Sequence, residues 1–183
     1  HTSSRRQRQM CIRDRFNVQL ATLFGIGKIP GGGTWASLIV LIIALYEQNA
    51  ETASFLAFLF LIVGPNAYRK LIALFDSEDP KEYVLDEVIG MGIAISGVYI
   101  FTSIFDQLSF NLIETLSATS ELFILTFIAF RFFDISKIGP VGWVESNPKE
   151  KAYNRVIGDD IMAAFLSIIV VIIFLCVNLW ILQ

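Results

Sequence analysis

The sequence predicts an all-α integral membrane protein with about five hydrophobic helices and a functional site at their cytoplasmic ends. Three observations lead to this fold class. Of the 183 residues, 55% are hydrophobic, and the mean hydropathy is +0.62. Soluble domains are usually about 45–50% apolar. Uncharged stretches recur along the chain, and all 14 Lys and Arg residues lie in the links on one side of them.

Five stretches contain no charged residue, and each is predicted to form a helix. A transmembrane helix needs about 20 apolar residues. The last stretch meets this length fully, and the second and third meet it marginally. The first becomes helical only near Thr34, after its glycines, and the fourth is bracketed by Glu121 and Arg131, so we expect these two to be tilted or partly embedded. In chain order the stretches are 29–46, 52–68, 88–105, 122–130 and 161–183.

The positions of the basic residues predict the topology. Every Lys and Arg lies in one of three links, namely the chain up to Lys28, residues 69–87 and residues 131–160. The loops at 47–51 and 106–121 and the chain after Ile161 contain none. Five membrane passages put these two sets of links on opposite sides, and basic links lie in the cytoplasm. We therefore expect a cytoplasmic N-terminus and an external C-terminus.

Residues 1–15 differ in composition from the rest of the chain. They have no apolar core and so do not form a signal peptide. We interpret them as a non-native or disordered leader, with a native basic leader as the alternative, and residues 16–183 as a single membrane domain. His1 is the only histidine and lies in this leader, so it is not expected to have a catalytic role. Cys11 and Cys176 lie far apart and predict no disulfide framework.

The segment DPKEYVLDEVIGMG carries charged residues into the start of the third apolar stretch. Asp79 as N-cap, Pro80 at the first helical position and Glu82 as capping-box partner predict an ordinary helix start. Capping does not explain Asp86 and Glu87, which lie a turn or more further along. These two carboxylates are therefore candidates for a function.

The segment FGIGKIPGGGTW places several glycines before a predicted helix. Backbone N–H groups at such a helix start can face an anion, and Lys28 and the Thr34 hydroxyl would add to this site. A flexible turn is the alternative. The spacing fits neither a P-loop nor a dinucleotide-binding fingerprint.

Two further segments carry carboxylates at the cytoplasmic side. In FRFFDISK, Asp134 lies three residues from both Arg131 and Lys137, a spacing that also predicts a local ladder of ion pairs on a helix. In GDDIMAAF, one aspartate at the start of the final stretch would be an ordinary N-cap. The pair Asp159 and Asp160 exceeds what capping needs.

Together these segments predict a metal site. Carboxylates from three helices would repel one another where the dielectric constant is low, and a hard divalent cation with oxygen ligands, Mg²⁺, would resolve the conflict. Basic and glycine-rich segments on the same side would bind a phosphate. The predicted ligands are Asp86, Glu87, Asp134, Asp159 and Asp160.

Four motifs in this order resemble the phosphatidylglycerophosphatase A family: FGIGKIP followed by GTWAS, DPKEYVLDEVIGM, FRFFDISK and DDIMA. The resemblance runs from about Leu20 to the end of the final helix. It implies a Mg²⁺-dependent phosphatase of the bacterial inner membrane, and the predicted multi-pass topology puts its site on the cytoplasmic side. The reaction implied is the conversion of phosphatidylglycerophosphate to phosphatidylglycerol. The chain differs from the family pattern in its first loop, after Lys137 and before the paired aspartates, but the acidic residues are retained.

This interpretation gives each candidate residue a role. The five carboxylates would hold one or two Mg²⁺ ions, and one of them would activate the attacking water. The phosphate would be bound by Lys28, Gly33, Thr34, Arg131 and Lys137. The expected partner is a phospholipid in the membrane, and no nucleic acid is expected to bind.

Two alternative functions involve no catalytic activity. A small transporter or channel should carry ionisable residues within its spans, and the predicted span interiors contain none. A structural membrane subunit would not need five clustered carboxylates. Both alternatives are therefore weaker than the phosphatase.

Overall fold

The computed structural model describes residues 12–75, 80–107, 119–146 and 151–181, and across these ranges the chain is helical with no strand. A 3-10 helix spans Leu23–Lys28. The α-helices are α1 Ile12–Ala21, α2 Gly32–Glu47, α3 Glu51–Phe75, α4 Leu85–Gln107, α5 Thr119–Ser136, α6 Pro140–Glu145 and α7 Ala152–Ile181. The prediction of an all-α fold is confirmed, and the five predicted apolar helices correspond to α2, α3, α4, α5 and α7.

Three of these helices are long and apolar enough to cross a membrane: Glu51–Ala73 in α3, Leu85–Phe105 in α4 and Ala152–Asn178 in α7. Helix α2 is apolar but has only 16 residues. Helix α5 carries Glu121, Arg131 and Asp134. The predicted count of about five is thus right for the hydrophobic helices, and three of them have the length and composition of full spans.

Helix α4 lies at the centre of the bundle and packs against α2, α3, α5 and α7. Its glycines allow close contact. A Cβ at Gly92 would lie 2.7 Å from the Ala53 carbonyl oxygen of α3, and one at Gly90 would lie 2.8 Å from the Phe130 ring of α5. Small residues let membrane helices approach closely, which increases dispersion contacts where burial from water contributes little. Helix α4 is therefore held on several sides.

The start of α4 differs from the prediction. Pro80 and Glu82 lie in a turn before the helix, closed by the Tyr83 N–H donating to the Pro80 carbonyl at 2.8 Å. The Val84 N–H then donates to the Ala21 carbonyl of α1 at 3.2 Å. This segment therefore forms a tertiary hydrogen bond before the helix begins at Leu85. The capping-box interpretation of Pro80 and Glu82 is wrong.

As a consequence, the two carboxylates of α4 lie in its first turn rather than deeper along the helix. Helix α7 shows the opposite shift. It begins at Ala152, so Asp159 and Asp160 lie two turns inside the helix and neither is an N-cap. The capping alternative for this aspartate pair is therefore excluded.

Some predictions concern residues outside the described ranges. These are residues 1–11 of the leader, with His1 and Cys11, and the predicted N-cap Asp79. Helix α1 begins at Ile12, before the predicted domain boundary. Cys176 is exposed with a free thiol.

Candidate active site

Three carboxylates from two helices meet at one end of the bundle. Asp86 and Glu87 come from the first turn of α4, and Asp160 comes from α7. One carboxylate oxygen from each lies within 4.8 Å of the others, which is close enough for a single ion to contact all three. Asp86 is 8% exposed and Asp160 is 3% exposed. The cluster is therefore acidic and largely shielded from water.

Two oxygen atoms of this cluster lack a hydrogen-bond partner among the described residues, Glu87 Oε2 and Asp160 Oδ1, and both are buried. A buried, unpaired carboxylate oxygen is costly, because it loses hydration without compensation. Asp86 Oδ1, by contrast, accepts the Glu87 backbone N–H at 3.1 Å. The unpaired atoms fit a cation bound between them, and an all-oxygen ligand set suits a hard divalent ion.

Gly33, in the first turn of α2, lies against the Glu87 side chain. A Cβ at this position would overlap Glu87 Oε1. Any other residue would therefore displace the carboxylate or the helix. The glycine-rich motif predicts a phosphate-binding role for Gly33, and the structure shows this glycine making room for the predicted metal ligand Glu87.

Arg131 connects α5 to the start of α2. Its guanidinium forms an ion pair with Asp134 Oδ2 at 2.5 Å. It also donates to Thr34 Oγ1 at 3.1 Å and to Ser37 Oγ at 3.4 Å. The predicted Arg131–Asp134 pair is thus present, and the same Arg131 side chain fixes the glycine-rich helix start.

The ion pair that the structure shows for Lys137 joins it to another helix rather than to a residue of α5. It follows the end of α5 in a left-handed conformation, with φ of 50°, and its Nζ donates to Asp159 Oδ2 of α7 at 2.9 Å. The chain leaves the helical path at this residue, and its side chain projects toward α7. Lys137 therefore links α5 to the aspartate pair.

A cavity of about 350 Å³ opens beside the cluster. All five predicted carboxylates and Lys137 line it. Asp134 and Asp159 line it while held in ion pairs, and they lie outside the three-carboxylate group. Their role as metal ligands stays a prediction. The remaining predicted binding residues, Lys28, Gly33, Thr34 and Arg131, are not part of the cavity lining.

Three polar residues of the lining were not predicted from the sequence: Lys81, Tyr83 and Arg155. Arg155 lies four residues before Asp159 on α7, a spacing that places both on one helix face and could have revealed it. Tyr83 is buried and stacks edge-on against Tyr68, with ring centroids 5.4 Å apart. Burial and the nearby Asp86 charge raise the pKa of Tyr83 well above its ordinary value, so its hydroxyl keeps its proton.

The arrangement thus joins a cation-binding group to a cavity with basic side chains, which is suited to a phosphorylated ligand. In a comparison with protein families, the family model of phosphatidylglycerophosphatase A matches residues 19–175. The chain belongs to the phosphatidylglycerophosphatase A family.

The family match covers most of the chain, from helix α1 to helix α7. It includes every residue of the cavity lining. Searches of curated proteins and of solved structures found no significant match. Membership in the phosphatidylglycerophosphatase A family supports a phosphatase activity in phospholipid metabolism at a membrane, in keeping with the three helices that are long and apolar enough to cross one.

Proposed function

We propose that the protein is a Mg²⁺-dependent lipid phosphatase of the bacterial inner membrane. It hydrolyses phosphatidylglycerophosphate to phosphatidylglycerol and phosphate, on the cytoplasmic side. The observation that carries this proposal is the group formed by Asp86, Glu87 and Asp160, with two buried oxygens lacking partners beside a cavity that contains basic side chains. The family match supports the substrate class.

The charges of the cavity support a divalent cation. With every side chain ionised, five carboxylates and three cations line it, which gives a formal charge of two negative units. One divalent ion would neutralise this lining. Asp86, Glu87 and Asp160 would hold the ion, since their oxygens already converge. The ion, when bound, would withdraw charge from the phosphate oxygens and so favour attack at phosphorus.

The reaction forms a bond between phosphorus and the oxygen of the attacking water. It breaks the bond between phosphorus and the oxygen of the terminal glycerol. The water loses a proton to a carboxylate, and the leaving glycerol oxygen takes up a proton to give the alcohol. Basic side chains of the cavity would neutralise charge on the phosphate. The lipid-facing helices support a substrate whose acyl chains stay in the bilayer while its headgroup enters the cavity.

The test is phosphate release by the purified protein in detergent–lipid micelles that contain phosphatidylglycerophosphate. We expect release that requires Mg²⁺ and stops when the ion is chelated. Ca²⁺ should substitute poorly, because it favours longer bonds and more ligands than Mg²⁺. Phosphate release that persists without any divalent ion would refute the metal-dependent mechanism. Equal turnover of soluble glycerol phosphate would refute the lipid specificity.

A further inference from the structure

The phosphate-binding residues predicted from sequence do not surround the cavity. Arg131 lies outside the lining and uses its guanidinium for Asp134, Thr34 and Ser37. Lys28 is exposed and also lies outside the lining. Lys137 lines the cavity, but its ammonium pairs with Asp159. Lys137 is therefore the one predicted phosphate-binding residue that lines the cavity among the described residues.

Two other cations line the cavity from different elements. Lys81 lies in the turn before α4, and its side chain is exposed. Arg155 lies in the first turn of α7, partly buried, one turn before Asp159. The helix rise of about 1.5 Å per residue separates Arg155 from Asp160 by about 7.5 Å along the axis. Lys81 precedes α4 and Arg155 lies in the first turn of α7, so both cations lie near the N-terminal ends of these two helices.

We propose that Lys81 and Arg155 form the binding site for the phosphate dianion of the substrate and of the product. This inference rests on the proposed function and names the residues that hold the anion. A phosphate monoester carries about 1.5–2 negative charges at neutral pH, and the five carboxylates of the cavity would repel it. Arg155 can donate two parallel hydrogen bonds to phosphate oxygens, and Lys81 adds a flexible point charge at the rim.

The basic side chains at this end of the bundle thus have two different roles. Arg131 positions α2 and Asp134, whereas Lys81 and Arg155 contact the anion. Inorganic phosphate and the lipid headgroup share the chemistry that this site recognises. The two are distinguished by measuring each separately: inhibition and thermal stabilisation by inorganic phosphate, and KM for phosphatidylglycerophosphate in micelles.

The variants are Arg155→Gln and Lys81→Gln. The control is Lys151→Gln, which removes the same charge from an exposed residue outside the cavity lining. We expect each test variant to raise KM for the lipid and the inhibition constant of inorganic phosphate by about tenfold, as for the loss of one charged hydrogen bond. KM should rise by more than kcat falls, and Arg155→Lys should recover part of the loss.

Mg²⁺-dependent thermal stabilisation gives a second measurement. It should stay at the parental level or increase in Arg155→Gln, because removing a cation from the cavity strengthens its attraction for Mg²⁺. Parental KM and inhibition constants in both variants would overturn the proposal. So would an equal effect of Lys151→Gln, since general surface charge would then be responsible, or a fall in kcat at constant KM.

Failure of this inference can be distinguished from failure of the proposed function. If the parent protein releases no phosphate from phosphatidylglycerophosphate, the proposed function is wrong. Stabilisation of the parent by inorganic phosphate with Mg²⁺, and its loss in the two variants, would still support the anion site. If the parent is active and neither variant changes phosphate binding, only the anion site is wrong.

Discussion

Gly33 of α2 lies directly against the carboxylate of Glu87 in α4, and a Cβ at Gly33 would overlap Glu87 Oε1. Two motifs that are far apart in the sequence thus meet at one contact. The glycine-rich segment is needed here for space as well as for its backbone N–H groups. The position of one predicted metal ligand therefore depends on a residue that has no side chain.

Gly33→Ala should destabilise the protein because of this overlap. We expect a loss of about 1–3 kcal/mol in the free energy of unfolding, as for overpacked sites. In a Glu87→Ala background the same change should no longer destabilise, because the overlapping side chain is gone and Ala favours helix over Gly. Thermal unfolding of the four proteins in detergent measures this. An equal cost in both backgrounds would contradict the contact.

Asp86→Asn and Glu87→Gln should each abolish phosphatase activity while the protein still accumulates in the membrane. An amide is a poorer Mg²⁺ ligand than a carboxylate, and removing one charge relieves repulsion in the metal-free cluster. Activity and Mg²⁺-dependent stabilisation would be measured together, and both should fall.

Glu82→Gln is the matched control for these two changes. Glu82 lies in the turn before α4 and outside the cavity lining, so activity should be retained. Near-parental activity in Asp86→Asn and Glu87→Gln would mean that these carboxylates do not hold the metal.

Arg131→Lys should destabilise the contact between α2 and α5 although it preserves the charge. The guanidinium reaches Asp134, Thr34 and Ser37 together, and an ammonium cannot reproduce this planar fork. We expect a loss of about 1–3 kcal/mol in the free energy of unfolding, measured by thermal unfolding. Arg69→Lys, on an exposed part of α3, should have no effect. Equal stability of the two variants would show that the guanidinium contributes nothing beyond its charge.

The sidedness of the basic residues predicts a labelling pattern. In a chain without native cysteines, Cys introduced at Gln48 should react with an impermeant thiol reagent added outside whole cells. Cys introduced at Ser146, which is exposed and lies in a basic link, should react only after the cells are opened. The reverse pattern would contradict the cytoplasmic placement of the site.

The helices were predictable because apolar stretches of the right length have few other stable forms in a membrane. The five carboxylates of the cavity were predictable because Asp86, Glu87 and the aspartate pair exceed what capping needs, and because all five fall at the same end of three predicted helices. The residues at the start of α4 were not predictable, because the Val84 N–H donates to the Ala21 carbonyl before the helix starts. That contact joins distant parts of the chain and leaves no local signal.

The cationic side of the site was harder to predict for a similar reason. Arg131 and Lys137 have the i, i+3 spacing to Asp134 that favours a local ladder. The left-handed turn at Lys137 instead directs its side chain to α7. Arg155 could have been predicted from its four-residue spacing to Asp159, although it lies outside the glycine-rich and aspartate motifs.

The carboxylate cluster is divided between α4 and α7, so its assembly follows the order of biosynthesis. Asp86 and Glu87 are synthesised first, and Asp160 is added only with the last described helix. Chains are made at about 5–20 residues per second and fold from the N-terminus. A nascent chain therefore holds two adjacent carboxylates without their third partner for several seconds. The phosphatase site can begin to work only after α7 has packed against α4.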